Sequence, residues 1–81
     1  MRRSSETQKR IVRELLRELR ETVGLRQIDL ATRLKRPQSF VSKYESGEKT
    51  LDFLEVGEVC RALGVPLVDF VRRYEEETDE G

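Results

Sequence analysis

The sequence predicts an all-α fold, a compact five-helix bundle in one small domain. Three observations lead there. Apolar residues recur at three- and four-residue spacing along most of the chain, the pattern of helices that bury one face. β-alternation of useful length, internal repeats and low-complexity linkers are absent. The breaks between periodic stretches are short, which makes consecutive helices neighbours. With 81 residues, 36% of them hydrophobic, there is material for one thin core and none for a deep catalytic cleft.

Each element has its own signals. Ser5 and Gln8 fit a capping box before helix one, and Gly24 fits its stop. Within it Val12, Leu16, Leu19 and Val23 form an apolar stripe that Ile11 and Leu15 widen. Helix two, "RQIDLATRL", turns Leu30, Ala31 and Leu34 inward. Two residues later Pro37 opens helix three at its first position, where the missing N–H costs nothing, and Gly47 closes it. Helix four, "LDFLEVGEVCRAL", is capped by Asp52, points Phe53, Val56, Val59, Cys60 and Leu63 one way, and stops at Gly64. Helix five starts near Pro66 and uses Leu67, Phe70, Val71 and Tyr74. Residues 1–10 are therefore expected to be an arm entering helix one, 11–74 the folded domain, and 75–81 a frayed acidic tail.

Composition removes most chemistry. There is no histidine, so the usual acid–base residue at neutral pH is missing, and one cysteine without histidine makes no zinc site. Cys60 falls on the apolar face of helix four and reads as a buried thiol. The glycines are scattered, with no phosphate-cradling cluster, and acids such as Glu14 and Glu18 sit among arginines on a solvated face. The expectation is a protein that is not an enzyme and that needs no cofactor or metal, with no small-molecule ligand evident. No apolar run approaches a membrane span and "MRRSSETQ" leads into no signal-peptide core, so a cytoplasmic location and no membrane partner are expected.

What remains is binding. The net charge is zero, yet residues 1–49 hold 13 of the 16 Lys and Arg against 7 acids, and residues 50–81 hold 3 against 9. A basic working surface beside an acidic remainder follows. Helix three shows what that surface carries. At about 100° per residue, Phe40, Val41 and Tyr44 share one side, and Gln38, Ser39, Ser42 and Lys43 the other. A merely solvated face favours Glu and Lys, whereas this one carries amides and hydroxyls beside one cation. Such groups donate to and accept from base edges in the major groove of double-stranded DNA. Phe40 either packs inward or lies beside the DNA.

The run "GLRQIDLATRLKRPQSFVSKYESGEKTLDFLEVGEVCRALGV" resembles the helix-turn-helix domain of the Cro and phage-repressor type, the XRE family. The resemblance rests on Gly24-Leu25, Gln27, Leu30-Ala31, Leu34, Gln38-Ser39, Val41, Tyr44-Glu45, Gly47 and the closing "ALGV", and it covers about residues 12–74. It implies a lambda-repressor-like fold with a recognition helix over 37–45. It implies that Gln38, Ser39, Ser42 and Lys43 face bases, and that Arg26, Gln27, Arg36 and Lys49 position the DNA backbone. It also implies a bond from Gln27 to Gln38 and a partly buried ion pair between Arg20 and Glu45.

Three residues depart from the family pattern. Arg26 replaces a Ser or Thr cap, Lys35 stands where the turn often has Gly, and Pro37 replaces a capping hydroxyl. The function implied is a sequence-specific transcriptional regulator, a repressor or autoregulator. The alternatives are a protein-interaction module, or an antitoxin or controller subunit, on the same fold. One helix reads too few base pairs for a useful operator, so a homodimer on a palindrome is expected. Leu54 and Val68 are candidates for its interface, with Ile11 and Leu15 a second patch unless they pack under helix five.

Overall fold

The computed structural model describes residues 4–79. Among them are five helices and no strand: α1 (Ser5–Val23), α2 (Gln27–Leu34), α3 (Gln38–Ser46), α4 (Phe53–Leu63) and α5 (Leu67–Thr78). α1 packs against α3, α4 and α5, while α2 lies across α3 and α4. The core lies where these faces meet. Leu15 and Leu16 of α1, Leu30 and Ala31 of α2, Val41 and Tyr44 of α3, Val56, Val59, Cys60 and Leu63 of α4, and Phe70 of α5 are all buried. Ile11 is partly buried against this cluster, so Ile11 and Leu15 are core rather than a second surface patch.

The helix ends hold the bundle in register. Gly24, Gly47 and Gly64 close α1, α3 and α4 in the left-handed conformation. Gly47 is doubly constrained. Its φ is +88°, and an added Cβ would stand 3.0 Å from Arg13 Cζ on α1. Asp52 caps α4 by accepting from Glu55 N at 2.8 Å, and Glu55 Oε1 accepts the Asp52 N–H at 3.0 Å.

Several boundaries and faces differ from the sequence reading. The cap of α1 is Ser4, not Ser5: its Oγ accepts from Thr7 N at 3.2 Å and donates to Thr7 Oγ1 at 3.0 Å, partners that Ser5 would forfeit. α2 begins at Gln27 with Arg26 as its N-cap, the position the resemblance gave both. Pro37 is the N-cap of α3 with ψ 153°, one position earlier than expected, so the helix spans 38–46 rather than 37–45. Phe53 is 68% exposed, because it sits at the first position of α4 where its apolar stripe runs off the core. Val23 is exposed for the same reason at the end of α1.

The tail is also more ordered than expected. α5 continues through Glu75–Thr78, with Thr78 Oγ1 donating to Tyr74 O at 2.9 Å and Arg73 bridging to Glu18 of α1 at 3.0 Å. Residues 80–81, also assigned to the tail, and 1–3 of the arm lie outside the described residues.

Candidate nucleic-acid interface

α2 and α3 are joined by Lys35, Arg36 and Pro37. Lys35 takes φ 58°, ψ 42°, the left-handed region that glycine visits freely and other residues only with strain. The bend is fixed by Lys35 N donating to Thr32 O at 3.1 Å and Arg36 N to Ala31 O at 3.0 Å. It throws α3 across α2 and presents the polar side of α3 outward. Gln38, Ser39 and Lys43 are exposed, and Ser42 is half-buried. The Ser42 hydroxyl donates to Ser39 O at 3.2 Å, which leaves its oxygen as an acceptor toward a groove.

The border of that face, at Glu45, is locked by an ion pair. Arg20 Nε and Nη2 donate to Glu45 Oε2 and Oε1 at 2.7 and 3.0 Å, a two-pronged bond that fixes angle as well as distance. Side-chain exposure is 9% for Arg20 and 4% for Glu45. The third nitrogen, Nη1, donates to Leu25 O at 2.7 Å, beyond the end of α1. The Glu45 contact, set against burial, raises the Arg20 pKa further above its already high value. Gln27 Nε2 completes the cluster by donating to Glu45 Oε1 at 3.0 Å. The resemblance implied a bond from Gln27 to Gln38. Here the amide nitrogen points to the carboxylate instead, which offers a stronger, charged acceptor.

The backbone-positioning candidates all carry acids beside them. Arg26 is held by Asp29 through Nε and Nη2, both at 3.0 Å, and the same carboxylate accepts the Arg26 N–H at 2.8 Å. The helix thus recovers half of a capping box although arginine itself cannot accept. These bonds hold the Asp29 carboxyl down at about 2. Arg36 lies 3.5 Å from Glu58, and Lys49 lies 3.4 Å from Glu55.

Phe40 is half-buried on the border of the reading face, edge-on to Tyr44 with ring centroids 5.7 Å apart. Two further residues, Arg33 and Arg13, were missed in the sequence. Arg33 Nη1 donates to Ala62 O at 3.0 Å and pins the end of α2 to α4. Arg13 lies against Gly47 at the C-terminus of α3, where a cation complements the helix dipole. Neither contact has a local signal, because each joins residues far apart in sequence. Tyr44 carries a buried hydroxyl with no hydrogen-bond partner among the described residues, and burial raises its pKa.

Comparison with known proteins agrees with this geometry. Residues 12–73 match the helix-turn-helix domain family. An XRE-family-like protein from Pseudomonas syringae pv. tomato str. DC3000 superposes with a TM-score of 0.85 at 38% identity, over 91% of this chain and 90% of that one. A variant of the restriction–modification controller protein C.Esp1396I superposes with a TM-score of 0.81 at 21% identity, over 86% and 91%, and shares the fold. No curated protein matches the chain. The turn at Lys35, the exposed polar side of α3 and the matched residues together make this chain a member of the XRE-type helix-turn-helix family.

Proposed function

We propose that this DNA-binding transcription regulator reads a palindromic operator as a homodimer, acting as a repressor or autoregulator. The observation that carries the reading is the face of α3: Gln38, Ser39 and Lys43 stand free at the surface of a helix that Arg20 and Gln27 hold still through Glu45 at the border of that face. Fixed donors and acceptors discriminate base edges; mobile ones do not. In the proposed complex α3 enters the major groove, and Gln38, Ser39, Ser42 and Lys43 face the bases. Arg26, Gln27, Arg36 and Lys49 contact phosphates without reading sequence.

Exposed apolar side chains support the dimer. Phe53, Leu54, Val68 and Val71 are 68%, 74%, 61% and 39% exposed on α4 and α5. Two of these, Phe53 and Leu54, line one groove with Val65, Pro66 and Leu67, flanked by the charged Glu58 and Arg61. An open apolar surface of this kind on a small domain is commonly an association site. No helix among the described residues is long and apolar enough to cross a membrane, which is compatible with action on cytoplasmic DNA.

The test is a shift assay with the DNA upstream of the chain's own coding region. The reading expects a retarded complex that survives excess unrelated duplex. Equal competition by both duplexes would contradict sequence-specific control.

A further inference from the structure

Two cations flanking α3 share one aromatic ring. Arg36 Cζ lies 4.4 Å from the centroid of Phe40, and Lys49 Nζ lies 5.8 Å from the same centroid. Phe40 itself is steadied by its edge-on contact with buried Tyr44. Across from the cations stand Glu58 and Glu55, each within 3.5 Å of its partner. These acids are three residues apart on α4 and so lie side by side.

We propose that Phe40, Arg36 and Lys49 form a single phosphate clamp, with Phe40 as its positioning residue and Glu58 as an internal stand-in for a DNA phosphate. The proposal rests on the backbone contacts assigned above to Arg36 and Lys49. The negative face of the ring attracts both cations and gathers two long side chains that otherwise repel each other. Less rotamer freedom is then left to lose when a phosphate arrives. The Glu58 carboxylate presents a charged oxygen to the same nitrogen a phosphate would use, so DNA must displace it, while Glu55 stays in the α4 cap. Arg36 and Glu58 side chains are 36% and 52% exposed, and an ion pair in that setting yields readily.

The two parts of the device therefore act with opposite sign on affinity. Binding is measured on the chain's upstream DNA and on an unrelated duplex of equal length. The variants are Glu58→Gln, Phe40→Leu and, as a charge control, Glu18→Gln, whose acid pairs with Arg73 at the α1–α5 contact. Glu58→Gln should bind both duplexes about threefold to fivefold more tightly than Glu18→Gln does, and Arg36→Ala should abolish that gain. Phe40→Leu should weaken both duplexes about threefold with base preference unchanged.

Melting temperature separates this from a structural role, since Glu58→Gln removes an ion pair and so tightens DNA binding without stabilising the fold. A Glu58→Gln variant no tighter than Glu18→Gln, or a gain that survives Arg36→Ala, overturns the clamp. Wild-type protein that binds neither duplex overturns the underlying backbone-contact reading with it. Wild-type binding that Phe40→Leu leaves unchanged overturns the clamp alone.

Discussion

Arg20 spends three nitrogens on two acceptors, Glu45 and the carbonyl of Leu25, and so ties α1, α3 and the entry to α2 at one point. Replacing Arg20 by Met strands a buried carboxylate, and replacing Glu45 by Gln strands a buried guanidinium. Each change should cost about 3–5 kcal/mol, and the pair of changes together much less than their sum. Chemical denaturation of the three variants checks this, and additive losses would contradict it. Tyr44→Phe should leave stability unchanged or raise it by about 1 kcal/mol, because it deletes a buried hydroxyl that has no partner.

Asp29 supplies the pH dependence. Its carboxyl is held at about 2 instead of 3.8 by the Arg26 side chain and N–H, so its contribution is complete above the ordinary value and is lost as pH falls through about 2. NMR titration should place the Asp29 midpoint there, and Arg26→Gln should move it back toward 3.8. An ordinary midpoint in the wild type would show that the bonds do not persist in solution.

At the level of elements, the turn is the strained part. Lys35 stands at φ 58° where glycine pays no steric penalty. Lys35→Gly should therefore raise stability by roughly 0.5–1 kcal/mol, the relief of left-handed strain less the added flexibility of the unfolded chain. A lower melting temperature for Lys35→Gly would mean that the lysine makes a compensating contact.

The helices and the split of α3 into buried and polar sides were legible in the sequence because periodicity is local. Ends shifted by one residue where two neighbours could serve, as at Ser4 and Ser5, or where Pro37 could be cap or first helical residue. The face of Phe53 was misread because helical angle says which way a side chain points but not how far the neighbouring helices reach. At the site, the residues of the polar face could be named from spacing. The acids beside Arg26, Arg36 and Lys49 and the bond from Gln27 to Glu45 could not, since distance and rotamer decide them.

Across the whole molecule, the basic charge and the most exposed apolar side chains fall in different halves of the chain. The basic half of the chain carries α2 and α3, and the acidic half carries α4 and α5 with their exposed Phe53, Leu54, Val68 and Val71. A dimer joined through α4 and α5 would keep its acidic part away from the phosphates and leave both copies of α3 free, about one helical turn of DNA apart. Leu54→Glu with Val68→Glu should give a monomer in sedimentation with its helices intact; an unaltered dimer would move the interface elsewhere.

Whether α3 is the reader decides the function of this protein most directly. Base preference should be determined by selection from a randomised duplex pool, for wild type, Gln38→Ala, Lys43→Ala, Arg36→Ala and Lys49→Ala. The first two substitutions should change the preferred bases at particular positions, each lost contact amounting to about 1–3 kcal/mol of discrimination, while the last two weaken every sequence alike and flatten the salt dependence. Unaltered affinity and preference in both Gln38→Ala and Lys43→Ala would contradict that role for α3.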